Sequence, residues 1–235
     1  MTTIVDVQNV TRSFPLGKVT VNALRGVSLK IQSGEFLAIA GPSGSGKTTL
    51  LNQIGCVDVP TSGRVIVDGA ETGTLSEKDL TSLRLRSLGF IFQTFNLVSV
   101  LNVFQNVELP LLLQGGTTKS ERKQRIDALL DGVGLSEQTL QRPNELSGGQ
   151  RQRVAIARAL ITQPRIVLAD EPTANLDSKT GTRIIDLMKA QNEALGTTFI
   201  FSTHDERVMA QARRIVLLED GLISSDEVIK QVEAQ

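Results

Sequence analysis

Eight consecutive residues, Gly41-Pro42-Ser43-Gly44-Ser45-Gly46-Lys47-Thr48, have the composition of a phosphate cradle. They fit the spacing G-x-x-x-x-G-K-[ST], in which glycines let the backbone turn its N–H groups inward. The helix that follows presents its N-terminus, worth about half a positive charge, to the β- and γ-phosphates of a nucleotide. Lys47 adds a full cation, and the Thr48 hydroxyl suits Mg²⁺, which bridges phosphate oxygens and offsets charge as the terminal phosphoryl group leaves. Thr49 is counted with the same nucleotide site. A glycine turn beside a surface lysine is the bland alternative, and the strand before and helix after the loop argue against it.

A second stretch, Arg165-Ile166-Val167-Leu168-Ala169-Asp170-Glu171, is an apolar run ending in two carboxylates. A buried strand of this kind delivers its last side chains to the edge where ligands of open α/β sheets bind. Asp170 is expected to hold Mg²⁺ through water, and Glu171 to take a proton from the attacking water as general base. An acidic cap leading into Pro172 would explain Asp-Glu alone; the partner loop favours the catalytic reading. Leu146-Ser147-Gly148-Gly149-Gln150 is a second glycine turn opening a helix, with Ser147 as an added donor. It makes another anion site, yet no lysine or metal carboxylate stands near it. Half a site asks for its complement on another chain, so the sequence implies a homodimer burying two ATP molecules, each held by one cradle and the opposite Leu146–Gln150 segment.

These residues need a scaffold. Phe36–Ala40 reads as a buried strand and Lys47–Ile54 as a helix, one βα unit around the cradle. Ile166–Ala169, Thr198–Phe201 and Ile215–Leu218 repeat the buried-strand character, with helical periodicity over Thr182–Leu195. Alternating strands and helices imply an α/β fold with a mostly parallel sheet covered on both faces. Ile4–Val10, Val19–Leu24 and Val27–Ile31 are expected to form short antiparallel strands. Glu77–Arg86, Lys119–Asp131 and Gln150–Leu160 have helical spacing. One body of 1–235 is therefore expected, with a core of 1–75 and 164–235 and a helical insertion over 76–163.

Composition narrows the classes. The 235 residues are 40% hydrophobic and 21% charged, ordinary for a globular chain. Lys plus Arg (25) equals Asp plus Glu (25), which leaves no electrostatic footprint for nucleic acid. Cys56, the one cysteine, reads as a small buried hydrophobe in a reducing compartment. Met1–Val10 lacks the pattern of a secretory signal, so a cytoplasmic chain is expected. Ser87–Val107 carries no charge and matches the roughly 20 residues of a spanning helix. Its five amides, Gln93, Asn96, Asn102, Gln105 and Asn106, oppose burial in hydrocarbon, and it is expected to be an interface.

With these motifs in order, the chain resembles the nucleotide-binding subunit of ABC transporters, from about Ile4 to Leu222. Leu146–Gln150 matches the family signature letter for letter. The resemblance implies a P-loop NTPase (RecA-like) core with an N-terminal antiparallel β-subdomain and an inserted α-helical subdomain. It implies that Gln93 touches Mg²⁺ and the attacking water, that Ala174-Asn175-Leu176-Asp177 is the loop communicating across the dimer, with Asp177 at the nucleotide, and that His204 senses the γ-phosphate. The family stacks a tyrosine on adenine; this chain has neither Tyr nor Trp, and Phe14 takes that position. A lone histidine is more often structural, but its place after the apolar strand Thr198–Phe201 favours the functional role.

Gly89–Leu97, Asn106–Pro110 and Leu168–Asp177 resemble cassettes of the lipoprotein-releasing and macrolide-exporter group. Membership implies a peripheral subunit on the cytoplasmic face of the inner membrane. There it would drive a transmembrane permease docked near residues 93–104, with a periplasmic adaptor reached through that permease. Phe95, Leu97, Val98, Val100, Leu101 and Phe104 are expected to form the docking groove, about half of them filling the helical core instead. A division-type cassette signalling through a permease-like partner is the alternative. A small-molecule kinase would not need Leu146–Gln150, and a silent binding module would not keep every catalytic position filled.

Overall fold

The computed structural model describes residues 2–17 and 19–229. In chain order its elements are β1 (Thr3–Leu16), β2 (Val19–Gln32), β3 (Phe36–Ala40), α1 (Lys47–Ile54), β4 (Ser62–Val67), β5 (Ala70–Glu71), α2 (Glu77–Ser87), β6 (Leu88–Ile91), α3 (Val103–Gln114), α4 (Lys119–Gly132), α5 (Gly148–Leu160), β7 (Ile166–Asp170), α6 (Ser178–Leu195), β8 (Thr198–Ser202), α7 (Glu206–Gln211), β9 (Arg214–Glu219) and β10 (Leu222–Val228).

They build two sheets. The smaller has four strands in the order β2-β1-β4-β5, all antiparallel; the larger has six, in the order β10-β9-β3-β8-β7-β6, parallel except for β10. The apolar runs Phe36–Ala40 and Thr198–Ser202 are buried at every position, as strands covered on both faces must be. Phe36, Phe199 and Phe201 meet there with ring centroids 4.7–5.8 Å apart. Each such fully buried side chain contributes about 1.5–3 kcal/mol. Parallel pairing has a functional result. Ile39 pairs with Ser202, Asp170 with Ser202, and Ile91 with Ala169, so the segments after β3, β8, β7 and β6 leave the sheet at one edge.

Two expectations change. Val19–Leu24 and Val27–Ile31 are one strand, because Gly26 is taken up as a bulge of β2 opposite Val10 and Thr11 of β1, without breaking the ladder. The stretch 76–163 is not wholly helical: Leu88–Ile91 turns into the large sheet as β6 and pairs with β7. The uncharged segment Ser87–Val107 is likewise divided among a helix end, β6, a loop and the start of α3. Helix α3 forms although Pro110 lies within it. A reciprocal cap between Asn102 and Gln105 closes its start, and Val103, Val107 and Leu111, four residues apart, bury one face. Cys56 is buried, as expected, and burial raises its thiol pKa to about 11.

Candidate active site

The cradle follows β3 directly. Its glycines are required by space as well as by φ: a Cβ on Gly41 (φ 144°) would stand 2.0 Å from the Leu218 carbonyl oxygen, and one on Gly46 (φ 105°) 2.4 Å from that of Ala23. Gly46 is the N-cap of α1 and supplies no side-chain cap, which leaves the first N–H groups of that helix free for an anion. Lys47 Nζ donates to the carbonyls of Gly41 and Pro42, at 2.8 and 2.9 Å, and so lies along the loop it serves.

A cleft of about 580 Å³ opens over this loop. Gly41, Pro42, Ser43, Gly44, Gly46, Lys47, Thr48 and Thr49 line it together with Gln93, Asp170, Glu171 and His204. All three suggested metal positions and all three suggested catalytic positions thus come together, although they lie in four separate parts of the sequence. Ser45 faces inward instead; it is buried, and among the described residues its hydroxyl has no hydrogen-bond partner.

Within the cleft the carboxylates are held differently. Asp170 Oδ2 accepts from Thr48 Oγ1 at 2.9 Å, and Oδ1 from Ser202 Oγ at 2.7 Å. One carboxylate, one hydroxyl and the Gln93 amide form an oxygen-donor set that suits Mg²⁺, a cation that keeps waters and phosphate oxygens as ligands. Among the described residues no group of three His, Cys, Asp or Glu could cage an ion by protein ligands alone. Glu171 is buried, with φ 47°, left-handed backbone that costs on the order of 1–2 kcal/mol for a non-glycine residue. Its N–H donates to the Ser202 carbonyl at 2.9 Å. Its Oε2 accepts from Thr203 Oγ1 at 3.1 Å, and Oε1 lies 2.6 Å from His204 Nδ1. A carboxylate only accepts, so Nδ1 carries a proton in this bond, and Nε2 takes no part in it.

Sequence reasoning passed over Ser202, Thr203 and Ala23, which support Asp170, hold Glu171 and wall the cleft respectively. The signal for the first two was a pair of hydroxyl residues closing the apolar run Thr198–Phe201.

Besides Ser45, six further suggested nucleotide residues do not line this cleft. Ser147 is the N-cap of α5: its Oγ accepts from Gln150 N at 3.2 Å while Gln150 Oε1 accepts from Ser147 N at 2.7 Å. Gly148 is the first residue of that helix. A Cβ on Gly149 would come within 3.2 Å of the Asn175 carbonyl oxygen, so the helix start packs on the Ala174–Asp177 loop. Asp177 caps α6 through Thr180 N at 3.0 Å, and those bonds lower its pKa. Ser147 and Asp177 are both exposed. Phe14 stands near the end of β1, 36% exposed, with the Arg12 guanidinium 4.5 Å from its ring centroid.

The suggested docking residues are dispersed. Leu97 and Phe104 pack on the helical core, the Phe95 ring lies beneath Arg151, and Val98 and Val100 are exposed. The apolar groove lies alongside, about 560 Å³ in volume, lined among others by Leu85, Leu88, Phe90, Phe92, Leu109 and Leu113; only Asn96 of 93–104 reaches it.

A phosphate loop and a carboxylate-tipped strand sharing one edge of a parallel sheet define a P-loop ATPase. Residues 24–174 match the ABC transporter family. The chain belongs to that family as an ATP-binding, ATP-hydrolysing cassette. It is 46% identical over 98% of its length to a macrolide export ATP-binding/permease protein of Bdellovibrio bacteriovorus, and spans 35% of that protein. An uncharacterized ABC transporter ATP-binding protein of Bacillus subtilis is 47% identical over 94% of this chain and 95% of its own. The fold superposes, with a TM-score of 0.93 and 45% identity, on a dimeric ATP-binding cassette of Methanocaldococcus jannaschii bound to ADP and phosphate, covering 96% of this chain and 99% of that one. Among the described residues no helix is long and apolar enough to cross a membrane.

Proposed function

We propose that two copies of this chain close around two ATP molecules and use the cycle of closure and hydrolysis to drive a membrane permease, as the cytoplasmic, peripheral motor of a macrolide-export or lipoprotein-releasing type of system. The observation that carries this reading is the separation of two anion sites. The cradle, Asp170 and Glu171 share one cleft, while the capped turn Ser147–Gln150 lies outside it with Ser147 exposed and the other three half-buried. In the closed pair each cleft would receive the turn of the other copy, with Asp177 at the seam and Phe14 against adenine.

Thr48, Asp170 and Gln93 would hold Mg²⁺, which when bound neutralises charge on the phosphate oxygens. The other steps belong to the protein. The N-terminus of α1 and Lys47 bind the phosphates; Glu171, fixed by Thr203 and His204, accepts the proton of the attacking water; His204 Nε2 stands free to meet the γ-phosphate oxygen or the water. Loss of the γ-phosphate removes the charge that held the two copies. The apolar groove beside β6 would seat a permease segment, and the loop carrying Gln93 lies between that groove and the cleft.

The test is the mass of Glu171→Gln in ATP, by light scattering. A dimer that reverts to monomer when Ser147→Arg is added is expected. A monomer at saturating ATP, or a dimer indifferent to Ser147→Arg, overturns the shared-site reading.

A further inference from the structure

The clamp made by Arg158 has no part in the chemistry described so far. Arg158 lies in the last turn of α5, half-buried. Its Nη1 donates to the Asn96 carbonyl at 2.5 Å and its Nη2 to the Phe95 carbonyl at 2.7 Å. Among the described residues it joins no carboxylate. A guanidinium withdrawn from water without a counterion must be compensated by dipoles, and two carbonyls in fork geometry do this. The two residues it grips are themselves unusual. Phe95 and Asn96 are consecutive non-glycine residues in the left-handed region, φ 64° and 49°. Such backbone persists where its surroundings over-determine it. Arg151, seven residues earlier and so on the same face of α5, adds a second hold, with its guanidinium 5.2 Å from the Phe95 ring centroid. The gripped turn begins two residues after Gln93, and α5 is capped at its start by Ser147.

We infer that Arg158 is a positioning residue for ATP hydrolysis: it fastens the Phe95–Asn96 turn to α5, and thereby sets where Gln93 stands in the cleft. The inference rests on the reading that Gln93 attends the reacting phosphate. It assigns α5 a role besides presenting Ser147, because movement of that helix carries the Gln93 loop with it. Arg158 and Asn96 also line the apolar groove, so whatever seats there touches the clamp itself. The fork matters as well as the charge. A lysine keeps the cation but reaches the two carbonyls as a point donor.

The experiment is a double-mutant cycle on the full chain, with kcat, ATP affinity and melting temperature measured for Arg158→Gln, Arg158→Lys, Gln93→Ala and Gln93→Ala/Arg158→Gln. Arg158→Gln should lose about tenfold in kcat with ATP affinity within about twofold of wild type, and Arg158→Lys should fall between the two. In the Gln93→Ala background the arginine substitution should cost nothing more. An equal loss in both backgrounds would mean that Arg158 only supports the fold; wild-type kcat in both arginine variants would remove any role. If Gln93→Ala alone keeps full kcat, the role of Gln93 falls and this inference falls with it. Should Arg158→Gln not fold, the cycle runs with Arg158→Lys, and the same outcomes decide.

Discussion

His204 Nδ1 lies 2.6 Å from Glu171 Oε1, joining a side chain that is 78% exposed to one that is 11% exposed. The histidine covers the carboxylate, and Thr203, its chain neighbour, bonds the other oxygen. Glu171 is therefore oriented from both sides by one segment, the two residues that follow β8. Glu171→Gln should lower kcat by about 10²–10⁴, the worth of a general base, and leave ATP affinity unchanged. His204→Ala should also lower kcat, and the double variant should be no slower than Glu171→Gln alone. Steady-state phosphate release with equilibrium nucleotide binding reads both.

Ser202 gives a test of the metal reading that leaves every suggested ligand in place. Its hydroxyl holds Asp170 Oδ1 at 2.7 Å while Thr48 holds Oδ2. Ser202→Ala should raise the Mg²⁺ concentration needed for half-maximal hydrolysis by about tenfold, the usual effect of removing a ligand's supporting bond. A chelator should abolish turnover in both proteins. An unchanged Mg²⁺ titration would exclude Asp170 as a ligand.

Docking should follow the groove and not the 93–104 loop. Leu113 is 65% exposed and Leu85 half-buried, so aspartate at either is tolerated by the fold. Leu85→Asp and Leu113→Asp should abolish co-purification with a permease and leave nucleotide binding intact, because a charge in an apolar seat is left unpaired. Retained co-purification would place the contact elsewhere.

Asp205 predicts a pH dependence of stability. The Arg207 guanidinium bonds it at 2.6–3.1 Å, and with Thr173 Oγ1 at 2.5 Å holds its pKa down to about 2. A carboxyl so depressed stabilises the folded state fully above the unfolded value, near 4, and the contribution is lost as pH falls through about 2. Asp205→Asn should cost on the order of 1 kcal/mol at pH 7, given the partial contact of the group with water, and nothing below pH 2. Urea unfolding at several pH values measures it.

What was legible in the sequence was whatever one short segment specifies by itself. Phe36–Ala40 and Lys47–Ile54 match β3 and α1 residue for residue, because an unbroken apolar run before a glycine cradle admits few alternatives. Contacts across the fold were harder to read. The four residues of β6 carry no period long enough to recognise, and they become a strand only because β7 offers an edge. Helix α3 is hidden by Pro110, whose cost is overridden by the burial of Val103, Val107 and Leu111. The same limit concealed the groove, whose walls come from α2, β6, α3 and α5. It concealed Ser202 too, whose importance lies in its distance from Asp170.

The reciprocal cap at the start of α5 has a kinetic consequence. Ser147 and Gln150 close on each other within a single chain, so this turn has no folding left to do when another copy arrives. Ordering entropy, a common brake on association, is small at that point. The two copies should meet at a rate set by diffusion and charge, and the lifetime of the pair should be governed by the nucleotide between them.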